Sequence, residues 1–175
     1  MNRYHSFLVI LHWLLALMIV LGLIMGSQVL SAAPNSDPQK LFYLKMHMSM
    51  GMIILVLMLT RLLTRVVSSK PPRADIGNGL LNRLGHLTHY AFYIVVIALA
   101  ASGLATANMA GLPEIVFGGS GQALPADFNA LPPRAAHGAL AFVLMMLIAG
   151  HALAFLYHQF IRKDGLFSRM WFGPR

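Results

Sequence analysis

Four long apolar runs, separated by three polar connectors, organise the chain. They cover about 7–30, 42–66, 84–107 and 134–158, each long enough at ~1.5 Å per residue to cross a hydrocarbon layer ~30 Å thick. The connectors carry Pro34 and Pro38, then Pro71, Pro72, Gly77 and Gly79, then Gly118, Gly119 and Gly121, all loop signals. Ser31-Ala32-Ala33 resembles a signal-peptidase site. The run before it is too long for a signal h-region and holds His12 and Trp13, so it reads as a retained membrane helix. Gly22 and Gly26, four apart on that run, allow a close helix contact. The expected fold is all-α, one four-helix transmembrane bundle spanning residues 1–175 as a single domain.

Composition agrees: of 175 residues, 58% are hydrophobic and only 10% charged. Cysteine is absent, which excludes thiolate iron–sulfur clusters, disulfides and cysteine-anchored haem. A net charge of +8 could suggest nucleic acid, but the basic residues cluster at the ends of the apolar runs, as a membrane orientation signal requires. No nucleic-acid partner is expected; membrane lipid is. Four spans put both termini on one side, with Arg3, Arg61, Arg65, Lys70, Arg73, Arg83, Arg162, Lys163, Arg169 and Arg175. Lys40, Lys45 and Arg134 fall on the other. The positive-inside rule then makes both termini cytoplasmic in a bacterial inner membrane.

Histidine carries the candidate chemistry. On the last run His137 and His151 stand fourteen residues apart, which at ~100° and ~1.5 Å per residue puts them within about 40° of one face and ~21 Å apart. The intervening GALAFVLMMLIAG offers an imidazole no polar partner, and an intramembrane histidine is costly unless it has one. Helix direction sorts the rest by depth: His47 belongs with His137 toward the outer side, His12 with His151 toward the inner side. Two neutral imidazoles facing each other across a bundle suit a six-coordinate haem b without covalent attachment. His86 and His89 also lie at the inner depth; either could replace His12, but a hydrogen bond to a haem propionate or a backbone group is the preferred reading. Gly51, Gly138 and Gly150 beside these residues would leave room for a macrocycle. Arg61 and Arg65 are placed to pair with haem carboxylates or to snorkel to lipid phosphate.

The sequence ILHW around His12, LKMHMSMGMIILVLMLTRLLTR around His47, GHLTHYAFY around His86, the His137-to-His151 spacing and the tail IRKDGLFSRM together resemble the bacterial cytochrome b561 family of diheme membrane proteins. The likeness covers essentially the whole chain. Ala100 stands where that family often has proline, a departure that bears on a kink in the third helix and not on the ligands. The resemblance implies two haem b groups with iron held by His12, His47, His137 and His151, and a quinone contact at His158. It implies a superoxide:quinone oxidoreductase: a periplasmic donor, superoxide, is oxidised to O2 and the electrons pass to membrane ubiquinone. Lys45 and Arg134, close in sequence to His47 and His137, would flank the outer haem and steer an anion toward it. The alternatives are an electron-transfer anchor subunit for a hydrogenase or other dehydrogenase, and a haem-free protein whose histidines bind Zn or Cu.

Overall fold

The computed structural model describes residues 3–69, 71–72 and 77–172; Lys70, Arg73 and Arg175 of the expected basic end lie outside them. The described residues form helices and loops with no strand. Helix α1 is Ser6–Ile24 and widens into a π-type turn, Met25–Leu30. Helix α2 is Gln39–Val67, α3 is Gly79–Met109, and α4 is Pro132–Leu156, widening in turn over Tyr157–Arg162. All four are long and apolar enough to cross a membrane, where a helix satisfies its own backbone polar groups.

Local chemistry sets the ends. Asn78 accepts the backbone N–H groups of Leu80 and Leu81, so α3 starts at Gly79, before the apolar run itself begins. Pro132 and Pro133 open α4, where a missing N–H costs nothing. Gly111, at φ 65°, follows the end of α3, and Lys163 and Gly165, at φ 52° and 72°, stop the fourth span. Helix α3 runs unbroken through Ala100.

Helix α1 packs on α2, α2 on α3, and α3 most extensively on α4. Neither α1 with α4 nor α2 with α4 is a closely packed pair among the described residues. The mid-bundle core is Leu15, Ile54, Met58, Tyr93, Val96 and Leu144, the last only 1% exposed. A second cluster, Leu44, Ala107, Leu112, Ile115 and Val116, lies at the end of the bundle away from the termini and seats the short turn Pro113–Phe117 against α2 and α3. We call this the distal end. Ile94, Leu63 and Leu153 stay exposed on the outside, as lipid-facing residues do.

Lys40 lies on the side assigned to it from the sequence, but it is not exposed there. It is 6% exposed, and its ammonium donates to the carbonyls of Leu30, at 2.6 Å, and Ala33. It thus caps the end of the first span from the first turn of α2, where a cation complements the helix dipole. A hydrogen bond to a charged group contributes about 1.5–3 kcal/mol. Lys40→Leu is therefore expected to lower the thermal midpoint in detergent by several degrees and Lys40→Arg by less; equal melting of Lys40→Leu and the parent protein would refute the cap.

Candidate functional site

At the distal end His47, from α2, faces His137, from α4, with ring centres 6.2 Å apart and planes at 79°. The Nδ1 of His137 lies 3.0 Å from the Leu99 carbonyl, which can only accept, so Nδ1 carries the proton and Nε2 keeps its lone pair. Ser102 stands 3.3 Å from the same Nδ1 and itself donates to Leu99 O. His47 Nδ1 is buried with no hydrogen-bond partner among the described residues. Two glycines back these rings: a Cβ on Gly26 would lie 3.4 Å from His47 Cε1, and one on Gly103 would lie 3.0 Å from His137 Cε1. Lys45 holds its ammonium 5.9 Å above the Phe117 ring. Arg134 folds back along its own helix, its Nη1 3.4 Å from where a Cβ on Gly138 would stand.

At the terminus end His12, from α1, faces His151, from α4, with ring centres 6.3 Å apart and planes at 76°. His89 also reaches this cluster, 5.9 Å from His151, its Nδ1 donating to Gly85 O at 2.7 Å. Phe92 covers His151 at 5.5 Å, and Trp13 meets His12 at 5.3 Å. His86 instead pairs with Tyr90. Arg61 donates to Leu8 O at 2.5 Å, one turn from His12, and Arg65 lies 6.0 Å from the Tyr93 ring centre. Neither arginine has a carboxylate partner among the described residues.

His158 stands apart, its Nδ1 donating to Asp164 at 2.6 Å while Arg162 Nε approaches the same oxygen at 3.3 Å. Burial works against the Asp164 carboxylate, but the hydrogen bonds from His158, the Leu166 backbone and Arg162 outweigh it, and its pKa falls below the ordinary carboxylate value. A depressed carboxylate pKa stabilises the fold at neutral pH and loses that contribution as pH falls through the depressed value. The turn after α4 is therefore held at neutral pH.

A six-coordinate metal shared by two imidazoles, about 2.0–2.1 Å from each nitrogen with each ring centre ~1.1 Å further on, sets the ring centres ~6.3 Å apart. Both pairs match that separation. Both also bridge helices that do not pack closely, α1 with α4 and α2 with α4, leaving width between the backbones. No Cβ-distance neighbour lies within 4 Å at Gly51 or Gly150, whereas at Gly138 the space is taken by Arg134. The buried, unpartnered Nδ1 of His47 adds a polar atom that the surrounding protein does not satisfy. Among the described residues no group of three or more metal-binding side chains forms, so the donor set falls short of a bare zinc site.

The family profile described as prokaryotic cytochrome b561 matches residues 3–173. The chain belongs to that family. It is 33% identical to a Yersinia pestis protein named probable superoxide oxidase CybB, over 97% of this chain and 96% of that protein. Cytochrome b561 homolog 2 of Escherichia coli (strain K12) is 33% identical over 72% of this chain and 69% of its own length. Cytochrome b561 homolog 1 of the same organism is 27% identical over 97% of each chain. This cytochrome b561 is thus a membrane electron-transfer protein, and its family implies b-type haem.

Sequence reasoning passed over the supports of these rings: the Leu99 carbonyl, Ser102, Gly26, Gly103, Phe92, and Trp13 as a neighbour of His12. The signal for Ser102 and Gly103 was available, since they sit in a run of small residues, Ala100 to Ala107 interrupted only by Leu104, that lets a neighbouring ring come close. Gly103→Ala would force a methyl group within 3.0 Å of His137 Cε1. The ring would then have to shift by a few tenths of an ångström to make room. We expect Gly103→Ala to lower haem content, measured by pyridine haemochromogen, and Ser102→Ala to change it little because Leu99 O still holds Nδ1; normal haem content in Gly103→Ala would show that the ring has room to move.

Proposed function

We propose that this cytochrome b561 is a diheme superoxide:quinone oxidoreductase of the bacterial inner membrane, with both termini in the cytoplasm. The observation that carries the reading is the pair of imidazole pairs, one toward each end of the bundle, both at the spacing of a shared metal. The name of the Yersinia pestis relative supports the choice of superoxide. In this reading His47 and His137 hold the periplasmic haem, and His12 and His151 the cytoplasmic one. When bound, each haem b supplies a reversible one-electron change at iron. Overall, two superoxide anions lose one electron each and leave as O2, and ubiquinone takes both electrons with two protons to become quinol.

The chain's own residues position these events. The protonated Nδ1 of His137 presents Nε2 to iron, and Leu99 O fixes that tautomer. Arg61 and Arg65, near the level of His12, serve the haem carboxylates at the cytoplasmic end. Lys45 and Arg134 flank the periplasmic entrance. With Lys40 capping a helix end, attraction of an anion rests on those two placements rather than on the charge of the whole face. His158, with Nδ1 donating to Asp164, keeps an acceptor nitrogen that takes a hydrogen bond from the quinol hydroxyl.

Visible and EPR spectra of purified variants test the ligand sets. His47→Ala or His137→Ala should remove one haem and His12→Ala or His151→Ala the other; a haem-free parent protein, or His12→Ala with two bis-histidine centres, would refute this assignment. Stopped-flow reduction and reoxidation test the substrates. Lys45→Gln with Arg134→Gln should slow reduction by superoxide roughly ten-fold at low salt and flatten its salt dependence, while a neutral donor is little affected. His158→Ala should leave reduction unchanged and slow reoxidation by added ubiquinone. Equal slowing with charged and neutral donors would discard the steering role, and unchanged quinone kinetics would discard the role of His158.

A further inference from the structure

The end of the chain turns back onto its beginning. After the left-handed residues Lys163 and Gly165, Leu166–Met170 forms a short 3-10 helix. The Met170 carbonyl accepts the indole N–H of Trp13 at 2.9 Å, across 157 positions of sequence. The Arg169 carbonyl accepts the backbone N–H of Tyr4 at 3.1 Å, and the Arg169 guanidinium donates to Pro72 O at 2.6 Å. Phe167 and Trp171 approach the Trp13 ring edge-on, at 6.2 and 5.8 Å. A segment this short does not hold a helical turn by itself. Its bonds to the start of the chain, to α1 and to the α2–α3 connector hold it in place.

Trp13 stands between this segment and His12, meeting the imidazole at 5.3 Å with planes at 65°. A tryptophan has two side-chain torsions, and here its N–H is bonded on one side while its ring is bracketed by two aromatics. The ring is therefore fixed, and His12 rests against a fixed surface. We propose that Leu166–Met170 is a strap that orients the His12 imidazole through Trp13, making Trp13 a positioning residue that tunes the redox centre nearest the termini. The proposal rests on His12 being an iron ligand. The physical lever is ligand orientation, which helps set the potential of a metal centre.

Trp13→Phe in the full-length protein keeps an aromatic ring beside His12 and removes the bond to Met170. Phe167→Leu, which loosens the strap from its own side, is the second variant should the first fold poorly. Potentiometric titration and low-temperature EPR should show one of the two centres altered. Its oxidation equilibrium is expected to move about three- to ten-fold, ten-fold being ~59 mV for a one-electron couple, with the other centre unchanged. Trypsin cleavage after Arg169 should accelerate in parallel. Unchanged potentials and EPR signals in both variants would overturn the strap even if cleavage accelerates, and so would equal shifts at both centres. Retention of two bis-histidine centres in His12→Ala would instead overturn the ligand reading, and the strap's role with it.

Discussion

An imidazole inside a bilayer carries a donor and an acceptor into a medium that offers neither, and the structure is arranged around meeting that demand. His137 gives its N–H to Leu99 O, and His89 gives its own to Gly85 O. Both acceptors are carbonyls of α3. The helix that contributes neither His12, His47, His137 nor His151 is thus the one whose backbone holds His137. It is also the helix that packs most extensively on α4, which carries one member of each pair.

The same demand shapes what surrounds the rings. At the His12–His151 and His47–His137 pairs the helix backbones stand apart, and cohesion comes from the neighbouring seams and from the apolar core lying between the two histidine levels. Bulk is removed where a ring must approach a neighbouring helix, at Gly26 for His47 and Gly103 for His137. Glycine is common in membrane helices for packing, and here two of them serve the approach of a ring rather than of another backbone.

Much of this was legible in the residues alone. Run length gave four spans, and residue count along antiparallel helices was enough to set His12 level with His151 and His47 level with His137. Contacts that depend on where a flexible side chain turns were not legible. Lys40 looks like an orientation charge because lysine near a helix start usually faces water, yet its stem is long enough to reach carbonyls left open by the preceding helix. The start of α3 was hidden because Asn78 extends the helix beyond the apolar run. His86 and His89, three apart at the same depth, could not be told apart by counting. Their rotation about α3 sends one ring to Tyr90 and the other to His151.

The pairing at the terminus end has a consequence for biosynthesis. His12 and Trp13 leave the ribosome well before His151 and Met170, and the indole bond spans 157 positions. The distal pair closes sooner, as soon as the fourth helix has delivered His137 to a waiting His47. Chains are made from the N-terminus at roughly 5–20 residues per second, so His12 waits for its partner while all of the helices between them are made. The distal pair is therefore closed before the pair at the terminus end, which assembles only once the fourth helix has been made through His151 and the segment that carries Met170 has followed it.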